Sequence, residues 1–292
     1  MTDAADGAPP WGSGVVTTRA RCVLAPNPGP MTLDGTNTWV LLEPGSTEAV
    51  VIDPGPLDEP HLRAVLDTVE ELGAHVALTL LTHGHADHAE SAGRFAELTR
   101  APVRALGTGT SGQPGQHDRH DHDDLRDGHD LHDGQVLTVG GLEVAVVRTP
   151  GHTSDSLSFL LAADNALLTG DTILGRGTTM VAWPDGELAA YLDSLERIES
   201  LTGSGAVLRI LPGHGPQLPE AAAVVRHYRQ HRAERLEQVK AAVAGGASDP
   251  RAVVETVYAD VSRELWPAAE LSVRAQLDYL THRRPTDRGH TD

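Results

Sequence analysis

The chain has 292 residues, 39% of them hydrophobic and 22% charged, with a formal net charge of -18. That length supports one large core, or a large domain with a small one, and the acidic balance opposes non-specific nucleic-acid binding, which rests on phosphate neutralisation. A single cysteine, Cys22, excludes both a disulfide framework and a thiolate metal cluster. No apolar run approaches the ~18–20 residues of a membrane span. The opening MTDAADGAPPWGSG lacks the basic start and apolar middle of a secretory signal, so a reducing cytoplasm is expected. Lys240 is the one lysine among 23 basic residues, a bias that suggests a GC-rich bacterial genome.

Three strands are predicted first, RARCVLAP (19–26), TNTWVLLE (36–43) and EAVVIDPG (48–55), each short, β-branched and bounded by Pro or Gly. An amphipathic helix follows, striped by Leu62, Val65, Leu66, Val69 and Leu72. VALTLL (76–81) is a continuous apolar run, as a strand covered on both faces should be. HAESAGRFAELTR (88–100) reads as one helix and PVRAL (102–106) as a strand. Residues 107–134 lose all apolar period; Gly, Asp and five histidines dominate, which predicts a long solvated loop.

Strands resume with QVLTV, LEVAVVRTP, SLSFLLA and NALLTGD, then a helix at 187–201 and a strand AVLRIL at 206–211. One long helix is expected from Pro219 to about Val243, GGASDP (245–250) punctuates it, and short helices end the chain. The order implies two similar halves forming a sheet sandwich covered by helices. The predicted organisation is α/β, with a catalytic domain over 1–217 and a long helix plus small helical domain over 218–292.

Four polar turns each follow an apolar strand: THGHADH after 76–81, TPGHTSD after 142–147, TGDT after 166–168 and PGHG after 206–211. Loops at strand ends are a usual place to build a site on a rigid scaffold. Their metal-competent side chains are His83, His85, Asp87, His88, His152, Asp171 and His214. Seven such ligands exceed one tetrahedral zinc and suit two metals sharing a carboxylate and a water-derived bridge. His83 and His85, two apart in an extended loop, point the same way; Asp87 and His88 open the next helix.

HxHxDH at 83–88 with His152, Asp171 and His214 resembles the metallo-β-lactamase-fold hydrolases over residues 20–215. NPGPMTLDGTNTWV (27–40), GDTILGRGTTM (170–180), PGHGP (212–216), HR at 231–232 and WPAAELSVRAQLDYL (266–280) are similar to the β-lactamase-like protein 2 group. The resemblance implies a four-layer αββα sandwich with a small winged-helix-like C-terminal domain. It also implies His83, His85 and His152 on a first metal, Asp87, His88 and His214 on a second, and Asp171 bridging. That group includes single-strand-specific endoribonucleases, and related enzymes cleave thioesters.

The expected activity is therefore that of a dinuclear-zinc hydrolase using a metal-bridging hydroxide, with Mn²⁺ or Fe²⁺ also compatible with the ligand types. Asp87 and Asp171 are the expected catalytic residues. Arg176, Gly177 and Thr178 are candidate substrate contacts, because glycines let backbone N–H groups face an anion and the guanidinium adds a charged fork. Two substrates are weighed: a phosphodiester such as single-stranded nucleic acid, slightly favoured, and a small-molecule or carrier-borne thioester. A non-catalytic metal-binding module is the third reading. Arg226, Arg229, Arg232 and Arg235 recur every third residue, either as a phosphate-tracking stripe or, more simply, as a solvated face pairing with Glu234 and Glu237. The tail holds packing or dimerisation potential, which leaves a homodimer open; no membrane partner is expected.

Overall fold

The structure is a computed structural model that describes residues 11–106 and 130–282. Two mixed sheets pack face to face. The first has β1 (Gly14–Val15), β2 (Ala20–Leu24), β3 (Asn37–Leu41), β4 (Glu48–Ile52), β5 (His75–Leu80) and β6 (Val103–Arg104) in spatial order of the chain. The second runs β11 (Arg209–Pro212), β10 (Ala166–Gly170), β9 (Leu157–Leu161), β8 (Leu142–Arg148), β7 (Val136–Val139). Within each, antiparallel neighbours give way to parallel pairs, β4–β5 and β5–β6 in one and β10–β11 in the other.

Strand alternation explains the continuous apolar runs. In β3, Trp39 and Leu41 enter the core between the sheets while Val40 faces the outer helices; in β10, Leu168 faces inward and Leu167 outward. A strand buried on both faces has no polar side to show. α1 (Glu59–Glu71) and α3 (Ala92–Thr99) cover the first sheet through Leu62, Val65 and Phe95. α4 (Leu188–Gly203) and α5 (Ala221–Ala244) cover the second through Tyr191, Leu195, Val225 and Tyr228. The layers are thus α, β, β, α. The far end of α5 joins α6 (Pro250–Val257) and α7 (Trp266–His282) in a separate small core of Val239, Val253, Val254, Trp266 and Val273.

Three expectations need correction. The single helix expected over 88–100 is α2 (Ala86–Ala89) followed by α3, because Ser91 turns aside to donate both its N–H (3.2 Å) and its hydroxyl (2.8 Å) to the Gly55 carbonyl. The strand expected over 206–211 is only Arg209–Pro212: its ladder with β10 starts at Arg209, whose N–H shares the Asn165 carbonyl with that of Leu208. PVRAL supplies only the two-residue β6. Most of the His/Asp-rich segment lies outside the described residues; Leu131 is buried and bridges to Leu106.

Candidate metal centre

The four polar turns converge at one edge of the sandwich, and all seven predicted ligand residues meet there. Their donor atoms form three overlapping groups: His83, His85 and His152; His83, His88 and Asp171; and Asp87, His88 and His214. His83 Nε2 lies 3.1 Å from His85 Nδ1, which is 3.2 Å from His152 Nε2. On the other side His88 Nε2 lies 3.3 Å from His214 Nε2, and Asp87 Oδ2 is 3.1 Å from His214 Nε2. Asp171 reaches both groups: Oδ1 is 3.4 Å from His88 Nε2, while Oδ2 is 3.3 Å from His214 Nε2 and 3.7 Å from His152 Nε2. His85 is exposed and Asp87 half-buried, so the cluster opens to solvent on their side.

The far nitrogen of most rings is tied to an oxygen. Asp53, buried at the end of β4, accepts His88 Nδ1–H (2.8 Å) and the Thr82 hydroxyl (2.7 Å), and that hydroxyl lies 3.0 Å from His83 Nδ1. Its other oxygen accepts the Thr82 N–H at 2.8 Å. His152 Nδ1 donates to the Met180 carbonyl (2.8 Å) and His214 Nδ1 to the Gly35 carbonyl (3.2 Å). An acceptor opposite Nδ1 assigns the proton there and leaves the Nε2 lone pair facing the cluster, the tautomer a metal-binding histidine needs. Thr36 donates to Asp87 Oδ2 at 3.2 Å. Asp53 takes a left-handed backbone, φ 52°, which carboxamide and carboxylate residues tolerate better than most.

Close approach demands glycine at two points. At Gly213 a Cβ would sit 2.5 Å from Asp171 Oδ1 and 2.8 Å from His88 Cε1. At Gly170, φ 48°, it would collide with the Thr82 side chain at 2.6 Å.

Electrostatics divide the cluster. Burial holds His83 well below, and His85 below, the usual imidazole value. Burial also opposes charge on His88 and His214, yet nearby carboxylates outweigh it. Asp171 and Asp53 raise His88 well above the usual value, and Asp171 with Asp87 pushes His214 up to about 9. Desolvation would raise the two carboxyls, but the His214 hydrogen bond and the His88 charge bring Asp87 down to about 2. The same two imidazoles hold Asp171 well below the carboxylate range. The centre therefore keeps two ionised carboxylates beside imidazoles whose positive charge they favour.

The donor set fits metal ions. Asp171 Oδ1 is buried and has no hydrogen-bond partner, an arrangement that is expensive unless a cation completes it. The spacings of 3.1–3.3 Å between nitrogens are close to the edge of a tetrahedron of donors 2.0–2.1 Å from one zinc, about 3.4 Å.

The candidate substrate contacts Arg176, Gly177 and Thr178 lie in the segment between β10 and α4. Arg176 is 48% exposed and its Nη1 lies 2.7 Å from Asp34 Oδ2, so its charge is already matched. Gly177 is exposed with φ 67°, and Thr178 is partly buried. The next residues, Thr179 and Met180, are the ones that touch His152. On α5, Arg229 pairs with Glu199, Arg235 donates to the Val257 carbonyl (2.7 Å), and Arg232 is buried. Glu234 instead accepts from Gln230, so Arg229, Arg232 and Arg235 make other contacts than the expected pairing with Glu234 and Glu237, while Arg226 is exposed. Sequence reasoning gave Asp53, Thr82 and Asn37 no role of their own, and weighed Arg232 only as part of an arginine stripe. For Asp53 the signal is a carboxylate ending an otherwise buried strand.

A two-sheet sandwich flanked by helices, with a His/Asp cluster at its edge, defines a metal-dependent hydrolase class. The metallo-beta-lactamase superfamily model matches residues 31–214, and that of the beta-lactamase associated winged helix domain matches 250–286. The chain belongs to the metallo-β-lactamase superfamily of metal-dependent hydrolases. It is 33% identical over 264 residues to the beta-lactamase-like protein 2 homolog of Drosophila melanogaster, covering 88% of this chain and 86% of that one. It is 32% identical over 252 residues to the atrochrysone carboxyl ACP thioesterase of Aspergillus fumigatus, covering 86% and 73%. In shape it is similar to a beta-lactamase domain protein from Burkholderia ambifaria, with TM-score 0.71 and 22% identity over 94% of this chain and 90% of that one. No described helix is long and apolar enough to cross a membrane.

Proposed function

We propose that the chain is a dinuclear-zinc hydrolase of acyl thioesters. His83, His85 and His152 would hold one ion and Asp87, His88 and His214 the second, with Asp171 between them. The observation that carries the two-ion reading is the reach of Asp171, whose two oxygens lie within 3.3–3.7 Å of nitrogens from both groups. Such ions, when bound, make a nucleophile from water at neutral pH and polarise the scissile carbonyl. Asp87, ionised and at the open side, supplies a carboxylate oxygen to accept the proton that water gives up. Asp53 and Thr82 keep His83 and His88 oriented throughout.

Three features support a thioester over a polyanion. The chain's net charge is -18; Arg176 is matched by Asp34; and the α5 arginines 229, 232 and 235 are engaged in the protein's own contacts. Similarity to an acyl-carrier-protein thioesterase over 86% of the chain points the same way. Phosphodiester cleavage in single-stranded nucleic acid, which the β-lactamase-like protein 2 resemblance implies, is the second reading.

The test is a parallel assay of the zinc-loaded full chain on an acyl-CoA, an acyl-N-acetylcysteamine thioester, bis-p-nitrophenyl phosphate and single-stranded RNA. Thioester kcat/KM should exceed phosphodiester kcat/KM by at least about tenfold, a difference of ~1.4 kcal/mol in transition-state binding; the reverse order refutes the substrate assignment. Asp171→Ala should stay folded and lose turnover of every substrate. Activity retained with one ion lost would defeat the bridging role.

A further inference from the structure

Helix α5 connects the sandwich to the C-terminal helices, and two of its arginines serve the two sides. Arg235 Nη1 donates to the Val257 carbonyl at the end of α6, and its guanidinium lies 4.4 Å from the Tyr258 ring centroid. One turn earlier, Arg232 is only 8% exposed. It donates from Nη2 to the Thr179 carbonyl, and its guanidinium lies 4.9 Å from the Tyr191 ring centroid. Its Nε is buried with no hydrogen-bond partner, and no carboxylate pairs with it among the described residues. Burying an unpaired guanidinium is costly; a residue needed only to fill this space would be better apolar.

The carbonyl that Arg232 grips belongs to the segment that orients His152. The Thr179 carbonyl and the Met180 N–H share one rigid peptide plane. Met180 O accepts His152 Nδ1–H at 2.8 Å, and Thr179 Oγ1 lies 3.3 Å from the same nitrogen. We propose that Arg232 is a positioning residue that sets His152, and through it the affinity of the ion held by His83, His85 and His152. The helix leading into the C-terminal domain thereby takes part in building the metal centre. This rests on the assignment of those three histidines to one ion.

The experiment is a zinc titration of the metal-free full chain against a chromophoric chelator. The step lost in His152→Ala marks the ion concerned. Outer partners of metal ligands typically change affinity by 10–100-fold, and Arg232 acts one group further out. Arg232→Met should therefore weaken the marked step about tenfold and leave the other step unchanged. Arg232→Lys, which keeps the charge and one donor, should weaken it about threefold. Tyr228→Phe removes a hydroxyl that accepts the Leu174 N–H (2.8 Å) earlier in the same segment, and should change neither step. Equal weakening of both steps in Arg232→Met, or the same selective loss in Tyr228→Phe, overturns the proposal. Should Arg232→Met fail to fold by far-UV circular dichroism, Arg232→Lys decides alone, an unchanged marked step being refutation. A wild-type chain showing only the marked step defeats the two-ion reading and leaves Arg232 standing; one showing no marked step defeats both.

Discussion

Asn37 offers the sharpest perturbation of the fold that carries the centre. The residue is fully buried in β3, and its side chain is used completely. Oδ1 accepts Trp11 Nε1–H at 2.8 Å and lies 3.3 Å from Cys22 Sγ. Nδ2 donates to the carbonyls of Pro212 (2.9 Å) and Gly215 (2.8 Å), which flank His214. In Asn37→Leu the shape is nearly kept, and the two donated bonds vanish together with the one accepted from Trp11. The Pro212 carbonyl retains Trp39 Nε1–H at 3.1 Å, whereas the Gly215 carbonyl loses this donor. Three bonds at about 1 kcal/mol each and one orphaned buried acceptor at about 1–3 kcal/mol give about 4–6 kcal/mol. Leucine's added apolar burial offsets about 1 kcal/mol, leaving a loss of about 3–5 kcal/mol in the metal-free chain. Urea unfolding, with an unchanged slope, reads this directly. Zinc should restore less stability than in wild type, because the step that weakens is the one containing His214. A loss below about 1 kcal/mol, or weakening confined to the His152 step, would refute the clamp.

Asp53→Asn should weaken both zinc steps, each by 10–100-fold, since one carboxylate serves His88 directly and His83 through Thr82; the chelator titration separates this from the one-step effect of Arg232. With His214 pushed up to about 9 and His88 raised well above its usual value, the metal-free cluster holds protons more tightly than free imidazoles do, and zinc must displace them. Calorimetry in buffers of differing ionisation enthalpy should therefore show protons released on zinc binding, and a buffer-independent heat excludes this. His231 on α5 is held down to about 4 by burial and by the charges of Arg232 and Arg235. Between that value and the unfolded value the unfolded chain binds the extra proton, so stability present above about 6.5 is lost as pH falls toward 4. Urea midpoints at pH 7 and pH 5 should fall less in His231→Gln than in wild type; an equal fall counts against it.

The ligand residues were legible because each rides a short polar turn directly after an apolar run, and those runs are continuous because residues such as Leu167 and Leu168 are buried on opposite faces of one strand. The supporting residues were not, because their partners are remote. Asn37 meets Pro212 across 175 positions, and Arg232 meets Thr179 across 53. Arg232 sits in a three-residue arginine repeat that reads equally as a solvated stripe, and no local pattern separates a helix face turned to water from one turned to a carbonyl. The break between α2 and α3 was hidden likewise, since Ser91 is an ordinary helical residue until Gly55 is brought beside it. The partner of Arg176 was hidden in the same way: Asp34 lies 142 positions before it, and only the fold shows the pair 2.7 Å apart.

Each proposed ligand set draws on both halves of the sandwich. His83 and His85 come from the loop after β5 in the first sheet, whereas His152 follows β8 in the second; Asp87 and His88 likewise face His214, which follows β11. Bound ions would therefore tie the two sheets together at their edge. They do not have to create the sandwich, because the sheets already share a dry core that includes Trp39, Leu41, Ile52, Phe159 and Leu168. The work left to the cations is local: to neutralise Asp87 and Asp171, which the surrounding imidazoles can match without metal only by keeping protons. Metal removal should then leave the sheets assembled and loosen the edge where the turns meet, so that exchange protection falls at Thr82–His88 and Pro212–Gly215 first.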